Sequence, residues 1–273
     1  MAKDDFRGRV LCIGGSDSGG GAGIQADIKT ITALGGYATT AVTAVTVQNT
    51  MGIAGVHGVP PAIVAAQIAA VLTDIRADAV KTGMLVDEPT IEAVARALDR
   101  HARGIPLIVD PVMVAKGGAA LLDDKAIAAL KSFVRGRATL ITPNLPEAEV
   151  LTGRRVADVE DMRGALDALL ALGAEAVLLK GGHLPGPEVV DIFASREERR
   201  EWREPKLDSV HTHGTGCSLA SAIATGIAQG VAMVVAIDGA RAFTRRAIET
   251  APGFGHGHGP LNHGHPFNNS GTN

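Results

Sequence analysis

Short, fully apolar runs alternate with longer stretches carrying apolar residues at helical spacing from one end of the chain to the other. The pattern predicts strands at 9–14, 37–47, 79–85, 106–111, 139–142, 176–180 and 189–194. Leu107-Ile108-Val109 and Val177-Leu178-Leu179 are apolar at both parities, which suits strands covered on both faces. Helical spacing occupies 60–76, 88–103, 123–134, 146–152 and 158–172, and two further helices are expected at 215–229 and 231–250. Another helix begins with Ile24-Gln25-Ala26-Asp27. Such alternation predicts an α/β fold, a mostly parallel central sheet with helices on both faces. The segment 188–207 departs from it, reading as two strands around the charged turn 195–199, a small antiparallel hairpin. No Pro/Ser-rich linker or repeat interrupts the pattern, so 1–267 reads as a single domain and 268–273 as a disordered tail.

Composition narrows the class. Only 3% of residues are aromatic against 46% hydrophobic, so the core must be built from Ala, Val, Leu and Ile. A formal charge of −3 argues against a nucleic-acid or anionic-membrane surface. Cys12 and Cys217 give no disulfide framework, and no signal-peptide pattern or run of membrane-spanning length is present. A soluble cytoplasmic protein is expected.

In open α/β sheets, ligands gather beyond the carboxyl ends of the strands. Glycines and polar residues crowd those ends here, at 14–23, 48–49, 81–84, 110–113, 144–147 and 180–183. The first, GGSDSGGGAG, fits neither GxxxxGK[ST] nor GxGxxG, and no serine completes GxSxG. It reads as a permissive loop that lets a ligand approach the backbone, with Asp27 beside it; the alternative is a plain turn with a solvated Asp. HTHGTGCS at 211–218 opens an apolar helix. Free N–H groups and the helix dipole there favour a phosphoryl anion, and the same field is expected to draw the Cys217 thiol toward a thiolate base. Alternatively Cys217 is a small buried residue closing the helix start.

Asp110 ends a buried strand, where a carboxylate is costly unless paired or near a metal. With Glu147 it is suited to ordering water around Mg²⁺, while helix capping by Asn144 and Glu147 is the plainer reading. Lys180, at another strand end, suits a polyphosphate or else snorkels to the surface. His256, His258, His263 and His265 crowd 255–265, but the glycines between them read as a loose, solvated or substrate-edge tail rather than a metal site.

The segments GSDSGGGAGIQAD (15–27), TAVTVQNT (43–50), KTGML (81–85), VDPVM (109–113), TPNLPEAEVL (142–151), LLKGGHL (178–184), HTHGTGCS (211–218) and GHGHGPLNHGH (255–265) occur in that order. Together they resemble the hydroxymethylpyrimidine/phosphomethylpyrimidine kinases of thiamine biosynthesis, from about Val10 to His265. The resemblance implies a ribokinase-like three-layer sandwich, ATP and Mg²⁺. It also implies two phosphorylations, of 4-amino-5-hydroxymethyl-2-methylpyrimidine and then of its monophosphate. By motif position Gln48 hydrogen-bonds the aminopyrimidine, with Gly15, Asp27 and Met84 around it. Gly214, Thr215, Gly216 and Cys217 form the anion hole, Cys217 standing where many ribokinase-like sugar kinases carry an Asp base. Asn144 and Lys180 serve the nucleotide phosphates, Asp110 and Glu147 the metal. The partners implied are the pyrimidine and ATP, with no nucleic acid or membrane, in a homodimer. A pyridoxal kinase is the sibling activity on the same fold. A non-catalytic pyrimidine binder is a third reading, which would need neither the anion-hole glycines nor Cys217.

Overall fold

The computed structural model describes residues 7–113 and 122–267; the 268–273 tail lies outside them. The chain runs β1 (Arg9–Asp17), α1 (Gly23–Ala33), β2 (Tyr37–Asn49), β3 (Gly52–Gly58), α2 (Pro61–Asp74), β4 (Ala79–Thr82), α3 (Glu88–His101) and β5 (Leu107–Val109). It continues through α4 (Asp124–Val134), β6 (Leu140–Ile141), α5 (Leu145–Thr152), α6 (Val159–Leu170), β7 (Ala176–Lys180), β8 (Glu188–Ser195), β9 (Arg199–Pro205), α7 (Thr215–Ala228) and α8 (Met233–Glu249).

The strands form one sheet in the order β3-β2-β1-β4-β5-β6-β7-β8-β9. Pairings from β2 through β1 and β4 to β7 are parallel, while β2–β3, β7–β8 and β8–β9 are antiparallel. Alternation along β1 explains the layers: Leu11 and Ile13 join the apolar cluster beneath α2 to α6, Val10 and Cys12 the one beneath α1, α7 and α8. Side-chain caps start four of the helices, among them α5 through Asn144. Asp87, Asp123 and Asp158 accept from the backbone N–H of Thr90, Ala126 and Asp161. Among the described residues no helix is long and apolar enough to cross a membrane.

After β3 the chain returns to place β4 on the far side of β1, so the strand order reverses between β1 and β4. A cleft opens at such a reversal because the connections leave in opposite directions. The strands feeding it are shorter than the hydrophobic pattern predicts: 79–85, 106–111 and 139–142 shrink to Ala79–Thr82, Leu107–Val109 and Leu140–Ile141. β1 instead runs on to Asp17, with a register shift between Gly14 and Ser16. The hairpin predicted at 188–207 is present, and buried Arg241 of α8 ties it down through Asp191 (2.9 Å) and Glu204 (3.0 Å).

The expectation of a loose tail at 255–265 is corrected. His258 N–H donates to Thr50 O (2.9 Å), Asn262 N–H to Ala247 O (2.9 Å), and the Gly259 carbonyl accepts from His213 N–H (3.2 Å). His263 is buried, its Nε2 lying 2.8 Å from Ser218 Oγ in the first turn of α7. Burial, helped by Lys29 and His265, pushes its pKa down from 6.5 to about 4. The unfolded chain therefore binds a proton below pH 6.5 that the folded chain refuses, so stability is lost as pH falls from 6.5 towards 4. His263→Gln should shrink the fall in urea midpoint between pH 7.5 and 4.5; an undiminished fall rejects this account.

Candidate active site

The turn after β1 is organised by Asp17. Its carboxylate accepts from Gly19 N–H (2.7 Å), Gly21 N–H (3.0 Å) and Ala22 N–H (2.8 Å), curling the glycine-rich loop into the start of α1. His213 Nε2 approaches the same carboxylate at 2.8 Å. Burial raises the Asp17 pKa, but the His213 and backbone donors outweigh it and hold the group below the ordinary range. Ser18 Oγ clamps the Gln48 backbone, accepting from its N–H (2.8 Å) and donating to its carbonyl (2.7 Å). Gly15 lies under the tip of Met84, whose Cε would have to move to admit a Cβ there, 2.5 Å away.

Asp27 projects from α1 onto β4, where Lys81 Nζ meets its Oδ1 at 2.8 Å and Ser221 Oγ donates to it at 2.7 Å. Both ion-pair partners are 1% exposed, which excludes a solvated Asp27. Burial alone would lower the Lys81 pKa; the Asp27 carboxylate reverses this and holds the ammonium above its ordinary value.

Asp110, just past β5, meets Lys180 at the end of β7. Lys180 Nζ lies 2.9 Å from Asp110 Oδ1, and Thr142 Oγ1 donates to the same oxygen at 3.2 Å. The lysine is paired inward rather than snorkelling outward. Burial would raise Asp110, but Lys180 and Lys81 carry it below the usual range. The capping reading of Asn144 and Glu147 is realised: Asn144 Oδ1 accepts from Glu147 N–H (2.9 Å) and Glu147 Oε2 from Asn144 N–H (2.8 Å). The same box buries Glu147, and that burial, with Asp110 adding and Lys180 opposing, lifts its pKa to about 7.

α7 begins over this pair. Gly214 sits in the left-handed region (φ +85°), and a Cβ there would collide with the Gly21 carbonyl, so only glycine fits. A Cβ on Gly216 would be 3.2 Å from Lys180 Nζ and 3.5 Å from Asp110 Oδ2. Thr215 Oγ1 donates to Thr212 O at 2.7 Å, fixing the turn. The expected depression of the Cys217 thiol does not occur. Burial pushes its pKa up to about 11; Lys81 pulls the other way, and the carboxylates of Asp27 and Asp110 add to the rise. The helix start is thus outweighed by its acidic, enclosed surroundings, and at neutral pH the group is a thiol.

All the site residues named from sequence line one cleft of about 790 Å³. Sequence reasoning assigned no part to others that stand there: Lys81, Asp17, His213, Thr244, Leu219 and Ile248. Among the described residues the buried Thr244 Oγ1 has no hydrogen-bond partner. A lysine inside the apolar run of β4 was a readable signal, because such a charge demands a buried counter-charge.

Two buried carboxylates, Asp110 paired with Lys180 and Glu147 lifted by burial to about 7, make an oxygen-donor corner. That suits Mg²⁺, which takes one or two carboxylates and completes its shell with phosphates and water. Among the described residues no group of three or more His, Cys, Asp or Glu is placed to hold a metal ion.

Sheet order, the two helical layers and this cleft are those of a ribokinase-like small-molecule kinase. Bacillus subtilis pyridoxal kinase, in its ADP complex, matches the fold with a TM-score of 0.87 at 34% identity, over 94% of this chain and 97% of that one. A family model described as Phosphomethylpyrimidine kinase matches residues 17–262, and the chain belongs to that family. The Hydroxymethylpyrimidine/phosphomethylpyrimidine kinase of Bacillus subtilis is 46% identical over 93% of this chain and 94% of its own length. The Thiamine biosynthesis bifunctional protein ThiED of Geobacter sulfurreducens is 52% identical over 94% of this chain. The chain spans about half, 52%, of that bifunctional relative.

Proposed function

We propose that the chain transfers a phosphoryl group from ATP to 4-amino-5-hydroxymethyl-2-methylpyrimidine, and then a second to the monophosphate, in thiamine biosynthesis. One observation carries the reading. The start of α7 stands between two unlike compartments, facing Lys180 and Asp110 at Gly216 and reaching Asp17 and Gln48 through His213. A transferring phosphoryl group needs donors between nucleotide and acceptor, held in place before it arrives.

In this reading Gln48, Gly15, Asp27 and Met84 hold the pyrimidine, and backbone N–H groups of Gly214, Thr215, Gly216 and Cys217 receive the phosphoryl oxygens. Lys180 and Asn144 serve the nucleotide phosphates. Asp110 and Glu147 order the water of the metal, which supplies charge neutralisation between the phosphates when bound. The part of the cleft lined by α8 at Thr244 and Ile248 takes the nucleobase. The reading includes a cytoplasmic homodimer whose partners are the two small molecules.

Incubation with ATP and the pyrimidine alcohol, followed by product analysis, should give first one phosphate and then two; no phosphorylated product overturns the reading. Asp110→Asn and Glu147→Gln should each raise the half-saturating Mg²⁺ concentration by about 10–100-fold while sparing the KM for the alcohol. Unaltered Mg²⁺ titrations for both would show that the metal assignment is wrong. The likeness to a pyridoxal kinase favours a side activity on pyridoxal, which competition between the two alcohols for one enzyme preparation would reveal.

A further inference from the structure

The polar contacts around Gln48 conflict unless its amide faces one particular way. His213 Nε2 lies 2.8 Å from Asp17 Oδ2 and 3.3 Å from the Gln48 amide nitrogen. Asp17 already accepts from Gly21 and Ala22 N–H on that oxygen and from Gly19 N–H on the other. It is an ionised acceptor, so the proton between Asp17 and His213 belongs to the ring nitrogen. An amide NH₂ directed at that N–H sets two donors against each other. At the far end of the amide a second conflict appears: Thr46 Oγ1 lies 3.0 Å from both Ser16 O and Gln48 Oε1, with one proton for two acceptors.

A half-turn of the amide resolves both. The two ends of a side-chain amide are nearly equal in shape, so the surrounding hydrogen bonds decide its orientation. After the turn, His213 Nε2–H is shared between Asp17 and the Gln48 carbonyl. The Gln48 amino group donates to Thr46 Oγ1, whose own proton goes to Ser16 O. Every donor then has an acceptor. The second lone pair of the carbonyl and the second N–H of the amino group remain for a ligand, in one fixed sense.

We propose that His213, fixed by Asp17, is a positioning residue that locks the Gln48 amide with its carbonyl toward His213 and its amino group toward Thr46. The site thereby selects an aromatic edge bearing an exocyclic amino donor beside a ring-nitrogen acceptor. An oxo-pyrimidine offers the reverse, a carbonyl acceptor beside a ring N–H. It cannot turn over to compensate, because its hydroxymethyl group must still point at the start of α7. The inference rests on reading Gln48 as the partner of the pyrimidine. His213 is suited to this work because its main chain is also held, its N–H by Gly259 O at 3.2 Å.

The experiment compares binding of the 4-amino alcohol with that of its 4-oxo counterpart, by calorimetry, to the full chain and to His213→Phe, Asp17→Asn and Gln48→Leu. Phenylalanine keeps the ring and loses the N–H; asparagine keeps the ring of His213 but loses the ionised acceptor. In both variants the preference for the amino compound should fall by about tenfold or more, since a site with mispaired polar groups no longer rejects the wrong edge. In His213→Phe, ATP affinity and melting temperature should stay at the wild-type level, which a merely structural loss would not allow; Asp17→Asn also gives up an acceptor of the glycine-loop N–H groups and is read by the binding ratio alone. Should one variant not fold, the other reads the same ratio. If Gln48→Leu weakens the amino compound but both other variants keep the wild-type preference, this proposal alone falls. If Gln48→Leu leaves binding unchanged, the reading of Gln48 falls and the orienting role with it.

Discussion

Replacing Cys217 with alanine is expected to lower kcat with the pyrimidine alcohol by about 10²–10⁴-fold and to touch the monophosphate far less. The first acceptor is a neutral alcohol that must lose its proton as the phosphoryl group arrives. The second is a phosphate that is already ionised and needs no base. With its pKa pushed up to about 11, Cys217 is a thiol at neutral pH. Its thiolate fraction then grows about tenfold with each pH unit below that value. Wild-type kcat for the alcohol should therefore climb between pH 7 and 9. The climb should be missing in Cys217→Ala, and missing for the monophosphate in both proteins. The backbone donors of α7 do not depend on this side chain, so ATP affinity should hold. Equal losses on both substrates would assign Cys217 to positioning, and no loss on either would make it a small residue closing the helix.

Lys81→Met should destabilise the fold by about 3–5 kcal/mol, because it strands the buried Asp27 carboxylate without its counter-charge. Both partners are 1% exposed, so neither can relax to solvent when the other is removed. Lys81→Met combined with Asp27→Leu should recover most of the loss, since an apolar pair of similar volume needs no counter-charge. Urea unfolding of the two singles and the double closes the cycle. If Lys81→Met alone costs less than about 1 kcal/mol, Asp27 has taken up a proton and the pair carries little of the stability.

The architecture was legible because its strands are covered on both sides: Ile108 and Val109 enter different apolar clusters, which is why their run is apolar at both parities. β3 was not, since Gly52–Gly58 carries glycines and exposed side chains and is held by backbone pairing to β2. The site residues named from sequence all reach one cleft because strand ends in such a sheet converge. Their electrostatics did not follow from local sequence. The rise in Cys217 comes from burial and from Asp27 and Asp110, distant along the chain. Nor could spacing reveal that Asp17 meets His213 across 196 positions, or that Gly255 and Gly257 would lie against Thr50.

Folding order adds a consequence to the seating of His263 against Ser218. The pocket is closed by long-range contacts, joining Asp17 to His213 and Asp27 to Ser221 across 196 and 194 positions. Gly259 and His263, which hold His213 and Ser218, are translated later still. Non-local contacts of this kind form late, because their closure entropy is met before they return any stability. The sheet and its outer helices can be native while the start of α7 still lacks its neighbours. Catalytic competence is therefore expected late in folding, after much of the secondary structure has formed.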